Sequence, residues 1–425
     1  MMRIFEHHQA EYAATLERLA DRGDSDLAAV EPVVAEILAE VRRGRDRALI
    51  ELTERVDHRR PEPLSFDRAA MELALAAMPT RERAALELAA RRIRALHEHQ
   101  RDASARFTDG DGVELGWRIR PLERVGVYAP GGKARYPSSV LMAAIPAHVA
   151  GVRELYVTSP RPTQEILAAA FLAGVDKVFD LGGAIAVGAL AYGTESVPRV
   201  DKIVGPGNLY VTAAKKLVFG RVAVDGLAGP SEILVVADDQ ANPRVVAADL
   251  LSQAEHDEAA YPLLVTLSLS MAEQVIAEVE RQLAVLPRKS VAEVSVREHG
   301  YAFVAGSLDE AARVATTLAA EHLALLVRDP EALFAKIDAA GAAFLGDFTP
   351  EAAGDYLAGP SHVLPTGGAV RFSSPLGVYD FVTRTSVIRY SRAALAQHAD
   401  AIVTLARLEG LEAHARAVLA RTDQE

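Results

Sequence analysis

Apolar positions define the first element. Between Leu27 and Leu52 they fall at Val30, Val33, Val34, Ile37, Leu38 and Val41, close to the 3.6-residue period of an amphipathic helix. A second helical stretch runs from Asp67 to Gln100, with Met71, Leu73, Leu75, Leu86 and Leu88 and a break near Pro79. Its second half is dense in Arg and Glu, the mark of a solvated face laced with i,i+4 pairs. The first hundred residues therefore read as helical.

From Val125 the texture changes. Short β-rich runs at Glu154–Thr158, Lys177–Asp180, Lys202–Val204, Ile233–Ala237, Leu263–Leu267 and Phe303–Ala305 alternate with helical segments. The helices are expected at Gln164–Leu172, Tyr210–Val218 and Pro243–His256. Strands separated by helices predict parallel sheets joined by crossovers. Two such blocks, about 125–232 and 233–350, suggest similar halves with a site between them. Turns are marked at Ala129–Lys133, Gly205–Asn208 and Leu227–Ser231. The tail from about Ser391 is again helical, and no fixed-period repeat is present.

Composition narrows the chemistry. The 425 residues include no cysteine, which excludes disulfides, Cys-ligated zinc, iron–sulfur clusters and thiolate nucleophiles. Net charge is −12, which argues against a general nucleic-acid or anionic-membrane surface. The best candidate for a membrane span, Ser138–Val152, is interrupted by Pro146 and His148 and is too short. Residues 1–17 carry no signal-like apolar run, so a cytoplasmic location is expected.

Several polar groups are spaced for chemistry. Gly205-x-Gly207 follows a strand and precedes a helix, but Tyr210 stands where a dinucleotide fingerprint has its third glycine. The loop reads either as a tight turn or as a phosphate cradle at a helix N-terminus. Pro130–Lys133 is too short for a Walker loop. Gln253 and His256 are three apart on one helix face, either surface polarity or a mixed oxygen and imidazole ligand pair. Glu321-His322 reads as a polar helix end or as a proton-transfer pair. In Gly354–His362 glycines bracket Asp355 and His362 in a loop, and Glu409 and His414 share the last helical region. The remaining histidines sit in charged stretches or, like His148, on apolar segments.

In this order, the segments resemble the histidinol dehydrogenase family. The likeness is carried by Asp201–Asn208, Leu227–Glu232, Ser252–Asp257, Glu321–Leu323, Gly354–Tyr356 with His362–Thr366, Arg371–Ser374, and Glu409–Leu411 with His414. It implies NAD-linked, two-step oxidation of L-histidinol through L-histidinaldehyde to L-histidine, the last steps of histidine biosynthesis. It implies zinc, with Gln253, His256, Asp355 and His414 at the ligand positions and Glu321 and His322 at the catalytic ones. Substrate contacts fall on Ser231, His362 and Glu409 besides the ligand and catalytic positions, and cofactor contacts on Tyr128 and Asn208. Ile185 stands where the family usually has a glutamine that contacts NAD. Arg45 replaces a common glycine, Ala320 a common proline and Ser361 a frequent asparagine.

The fold implied is α/β, with two Rossmann-like parallel-sheet domains and helical N- and C-terminal dimerisation segments. The expected layout is 1–23 for the N-terminal segment and 24–127 with 233–376 for the metal and catalytic domain. Residues 128–232 form the NAD side, and 377–425 a tail reaching the partner of a homodimer. In that assembly Glu409 and His414 would serve the neighbouring copy's site. Without a thiol, aldehyde oxidation would pass through a hydrate formed by water at Glu321. Zinc would act as a template for substrate rather than a source of hydroxide. The alternative is a paralogue that oxidises another alcohol on the same scaffold.

Overall fold

The computed structural model describes residues 1–22, 27–131 and 136–422. It divides into a large unit, Met1–Gln100 with Glu123–Phe381, and a small one, Arg101–Leu122 with Val382–Glu425. The expected boundary at 23/24 and the end of the Pro130–Lys133 turn lie outside the described residues.

The large unit contains two six-stranded sheets. In the first, the strands Glu232–Ala237, Tyr261–Thr266, Tyr301–Val304, His322–Leu326 and Ala342–Leu345 pair in parallel. Numbered along the chain, their spatial order is 3-2-1-4-5. The second sheet repeats that order with Arg124–Tyr128, Glu154–Thr158, Lys177–Phe179, Lys202–Val204 and Ala223–Val224. The expected two α/β halves are thus present, with helices as the crossovers. Central strands such as Glu232–Ala237 are buried throughout, which is why they read as apolar runs rather than alternating ones.

Each sheet gains an edge strand from the N-terminal region. Arg3–Glu6 pairs in parallel with Tyr301–Val304, and Ser65–Phe66 pairs antiparallel with Lys177–Phe179. The first segment is therefore not purely helical: a strand precedes the helix Ala10–Ala20, whose Tyr12 and Leu19 join the core around Phe303. The helices of residues 27–98 pack on the second sheet's helices. Val34, Leu38, Val41, Leu49 and Leu52 share a core with Ile185, Leu190 and Val211. The apolar stripe seen in the sequence is this buried face.

The helix Leu27–Asp57 is broken at Arg45, whose φ of 52° and ψ of −135° lie in a region suited to glycine. A glycine would adopt that conformation without strain. The break near Pro79 is also present, between the helices Arg68–Ala76 and Thr80–Glu98.

The small unit has a three-stranded antiparallel sheet, with Glu114–Pro121 between Val382–Arg389 and Ala105–Thr108. The helices Arg392–Leu408 and Glu412–Thr422 follow it. The tail helices match the sequence reading, and the sheet was not anticipated. Among the described residues, no helix is long and apolar enough to cross a membrane.

Candidate active site

The catalytic candidates sit at the amino ends of the first sheet's central strands. His322 opens its strand and aligns with Ile233, one residue beyond Glu232. His322 Nδ1 lies 2.9 Å from the Glu232 carbonyl oxygen. A carbonyl only accepts, so Nδ1 carries the proton and Nε2 keeps its lone pair. Nε2 faces two carboxylates, Glu351 Oε1 at 3.8 Å and Asp355 Oδ1 at 3.9 Å. Burial pushes the imidazole's pKa down, so the neutral base is favoured.

Glu321 is held beside it. Its Oε2 accepts the Glu232 N–H at 2.9 Å, and its own N–H donates to Glu232 Oε2 at 3.2 Å. Burial and then the Glu232 charge raise its pKa well above the usual carboxylate range.

Glu351 and Asp355 are one turn apart on the short helix Glu351–Tyr356. Glu351 Oε2 accepts from Ser252 Oγ at 2.6 Å, while its buried Oε1 has no partner. Its pKa is pushed up to about 8, by burial first and then by Asp355. Gln253, buried at the end of the helix Pro243–Ala254, also has an orphaned Oε1. Ligand atoms of His256, Glu351 and Asp355 lie within 4.8 Å of one another. Four carboxylates gather here (Glu232, Glu321, Glu351 and Asp355), and Arg22 pairs with Glu232. Orphaned buried oxygens, a nearby imidazole and excess negative charge suit a divalent cation of the zinc type.

His362 donates through Nδ1 to the Asp355 carbonyl at 3.0 Å, and its Nε2 lies 3.2 Å from Ser139 Oγ. Burial lowers its pKa as well. Ser231 immediately precedes the Glu232 strand. A cavity of about 510 Å³ opens beside His256, walled by Tyr136, Pro137, Leu141, Arg288 and Tyr356.

Tyr128 and Asn208 lie elsewhere in the large unit, at the carboxyl ends of the second sheet's strands. They flank its topological switch point, between Arg124–Tyr128 and Lys202–Val204. That crevice is where open α/β sheets bind nucleotides. Asn208 caps the helix Leu209–Val218 through Val211 N–H at 3.2 Å, and the Tyr128 hydroxyl accepts the Gly183 N–H at 3.2 Å. Gly205 has φ 110°, and a Cβ there would come within 2.2 Å of the Tyr128 carbonyl oxygen, so the turn demands glycine.

Ile185 is 3% exposed in the core of that half. Glu409 and His414 belong to the small unit, at the end of Arg392–Leu408 and within Glu412–Thr422. The large unit therefore brings together Ser231, Gln253, His256, Glu321, His322, Asp355 and His362. Sequence reasoning missed Glu351 and Arg22 and gave Glu232 no role. The one available signal was the i,i+4 spacing of Glu351 and Asp355.

The sequence pattern described as histidinol dehydrogenase matches residues 20–422. The chain belongs to the histidinol dehydrogenase family. It is 52% identical to the histidinol dehydrogenase of Syntrophotalea carbinolica over 99% of both chains. It is 52% identical to that of Aquifex aeolicus over 96% of both. A crystal structure of histidinol dehydrogenase from Elizabethkingia anophelis superposes with a TM-score of 0.93 at 34% identity, covering 99% of this chain and 98% of the other. The family's fold thus accounts for both α/β halves and the small unit.

Proposed function

We propose that the chain is a zinc-dependent, NAD-linked oxidoreductase that converts L-histidinol through L-histidinaldehyde to L-histidine, in the last steps of histidine biosynthesis. Family membership supports the activity. The observation that carries the mechanism is the buried His322, its Nδ1 proton committed to Glu232 and its Nε2 free among the candidate ligands.

Gln253, His256 and Asp355, with the partner subunit's His414, would hold zinc, whose chemistry is to bind the substrate's nitrogens and fix its orientation. Tyr128 and Asn208 would hold NAD, which accepts hydride. His322 Nε2 takes the hydroxyl proton of histidinol as general base. Glu321 then removes a proton from water, which adds to the aldehyde while His322 returns its proton to the carbonyl oxygen, giving a gem-diol and a neutral His322 for a second oxidation with a fresh NAD. His322 deprotonates that diol for the second oxidation. No thiol is available for a thiohemiacetal, which supports the hydration route. Ser231 and His362 position the substrate, and Glu409 serves the neighbouring copy of a cytoplasmic homodimer.

The test is to count NADH per L-histidinol with and without a chelator. Two per substrate, lost on chelation and restored by zinc, is expected. One would indicate a simple alcohol dehydrogenase, and none a non-redox enzyme. A fully active monomer would contradict the shared site.

A further inference from the structure

Glu232 grips both catalytic candidates by its main chain. Its N–H donates to Glu321 Oε2 and its carbonyl accepts from His322 Nδ1, each at 2.9 Å. Its carboxylate is fixed at both oxygens. Oε1 accepts from Gly367 N–H at 2.8 Å and Arg22 Nε at 2.9 Å. Oε2 accepts from Arg22 Nη2 at 2.6 Å and from Glu321 N–H at 3.2 Å. Arg22 follows the helix Ala10–Ala20 and is itself anchored through Nη1 to the Leu19 carbonyl at 2.7 Å.

The Arg22 and Glu232 side chains are only 2% and 1% exposed. Such a pair is a poor device for stability, because desolvating two charges offsets most of their attraction. Placing a carboxylate beside Glu321 adds a like-charge cost. Positioning explains why the pair sits here. With Oε2 of Glu321 occupied by the Glu232 N–H, Oε1 is the oxygen available to the water that Glu321 is proposed to activate. With Nδ1–H of His322 committed, Nε2 is left as the base. Neither constraint survives if the Glu232 peptide shifts; strand pairing with Tyr261 holds it on one side, and the carboxylate clamp fixes the residue on the other.

We propose that Arg22 and Glu232 are positioning residues that set the tautomer of His322 and the orientation of Glu321. The inference deepens the function proposed above and rests on the roles given there to Glu321 and His322.

The test uses full-length Arg22→Met, Arg22→Lys and Glu232→Gln proteins, with thermal melts to measure the folded fraction. Imidazole nitrogen NMR reads the tautomer without reference to turnover. His322 should be the Nδ1–H form in the native and Arg22→Lys proteins and lose that preference in Arg22→Met. In single-turnover assays, Arg22→Met should lower the rate of both oxidations by about tenfold or more, with KM for histidinol nearly unchanged. Arg22→Lys should recover most of that loss.

The pH profile of aldehyde oxidation gives a signature that a merely structural role would not. Glu321 is faced by Glu232, His322, Glu351 and Asp355. Glu232→Gln removes one of these charges and should move the acidic limb to lower pH. Arg22→Met exposes that charge and should move the limb to higher pH. A native His322 tautomer in Arg22→Met, or limbs that shift in the same direction, would overturn the positioning role. Native protein that fails to form two NADH per histidinol would instead count against the proposed function, and the NMR result would still decide the positioning.

Discussion

At the proposed metal site, Glu351 should make metal uptake a proton-coupled event. Its carboxyl is pushed up to about 8, because it is buried beside Asp355 with one oxygen unpartnered. Near pH 7 this group is therefore mostly protonated while no cation is near. A divalent cation among the donor atoms of His256 and Asp355, which lie within 4.8 Å of a Glu351 oxygen, favours the ionised form. Binding near pH 7 then expels up to about one proton from this side chain. Each pH unit below the pKa weakens apparent affinity by about tenfold, or ~1.4 kcal/mol. The sign follows from the raised pKa: metal affinity climbs with pH and levels off above it. Glu351→Gln removes the titration while keeping an acceptor for Ser252. The assay is calorimetric zinc titration in buffers of different ionisation enthalpy, whose slope counts protons. Native protein should release up to about one proton more than the variant near pH 7, and the difference should shrink as pH rises above the raised pKa. Equal release near pH 7 would refute the reasoning.

Three further outcomes are expected. Glu321→Gln should slow aldehyde oxidation by about a hundredfold or more while sparing alcohol oxidation, and equal losses in separate half-reaction assays would sink the division of roles. Arg45→Gly should raise unfolding free energy by about 1 kcal/mol, since strain relief exceeds the added chain entropy and the loss of an exposed ion pair with Glu195. A lower urea midpoint would show that Arg45 is not strained. Ile185→Gln should cost about 1–3 kcal/mol, because it buries an amide in an apolar core. An unchanged midpoint together with a lower KM for NAD would show that the position turns toward the cofactor.

Elements with a strong local pattern were legible. The strands Glu154–Thr158 and Lys202–Val204 have the limits expected from the sequence, because apolar runs between turn residues carry their own boundaries. The strand Arg3–Glu6 was not legible. It is a short, partly exposed edge strand whose partner, Tyr301–Val304, is far along the chain. The small unit's sheet was hidden for the same reason, as Glu114–Pro121 pairs with Val382–Arg389. The partners of the 27–98 helices were not legible, because an apolar stripe says that a face is buried but not against what.

The site divides along the same line. Gln253 and His256 were visible as a helical pair, and Glu321-His322 as a dipeptide. Nothing around Glu351 distinguishes it from a surface acid until the fold buries it against Ser252 and His322. Arg22 is likewise an ordinary helix-end residue until it meets Glu232.

By itself the sequence determined the two α/β halves, the oxygen and nitrogen donor types, and the exclusion of thiol chemistry. Those are properties of residue identity and short-range period, which every segment carries alone. Only the tertiary structure decided that the candidate chemistry lies at the amino ends of one sheet while the other sheet's switch point flanks Tyr128 and Asn208. It also decided which acids are desolvated and which imidazole nitrogen is free. These depend on burial and on hydrogen bonds between residues about ninety positions apart, such as His322 and Glu232, and no local pattern encodes them.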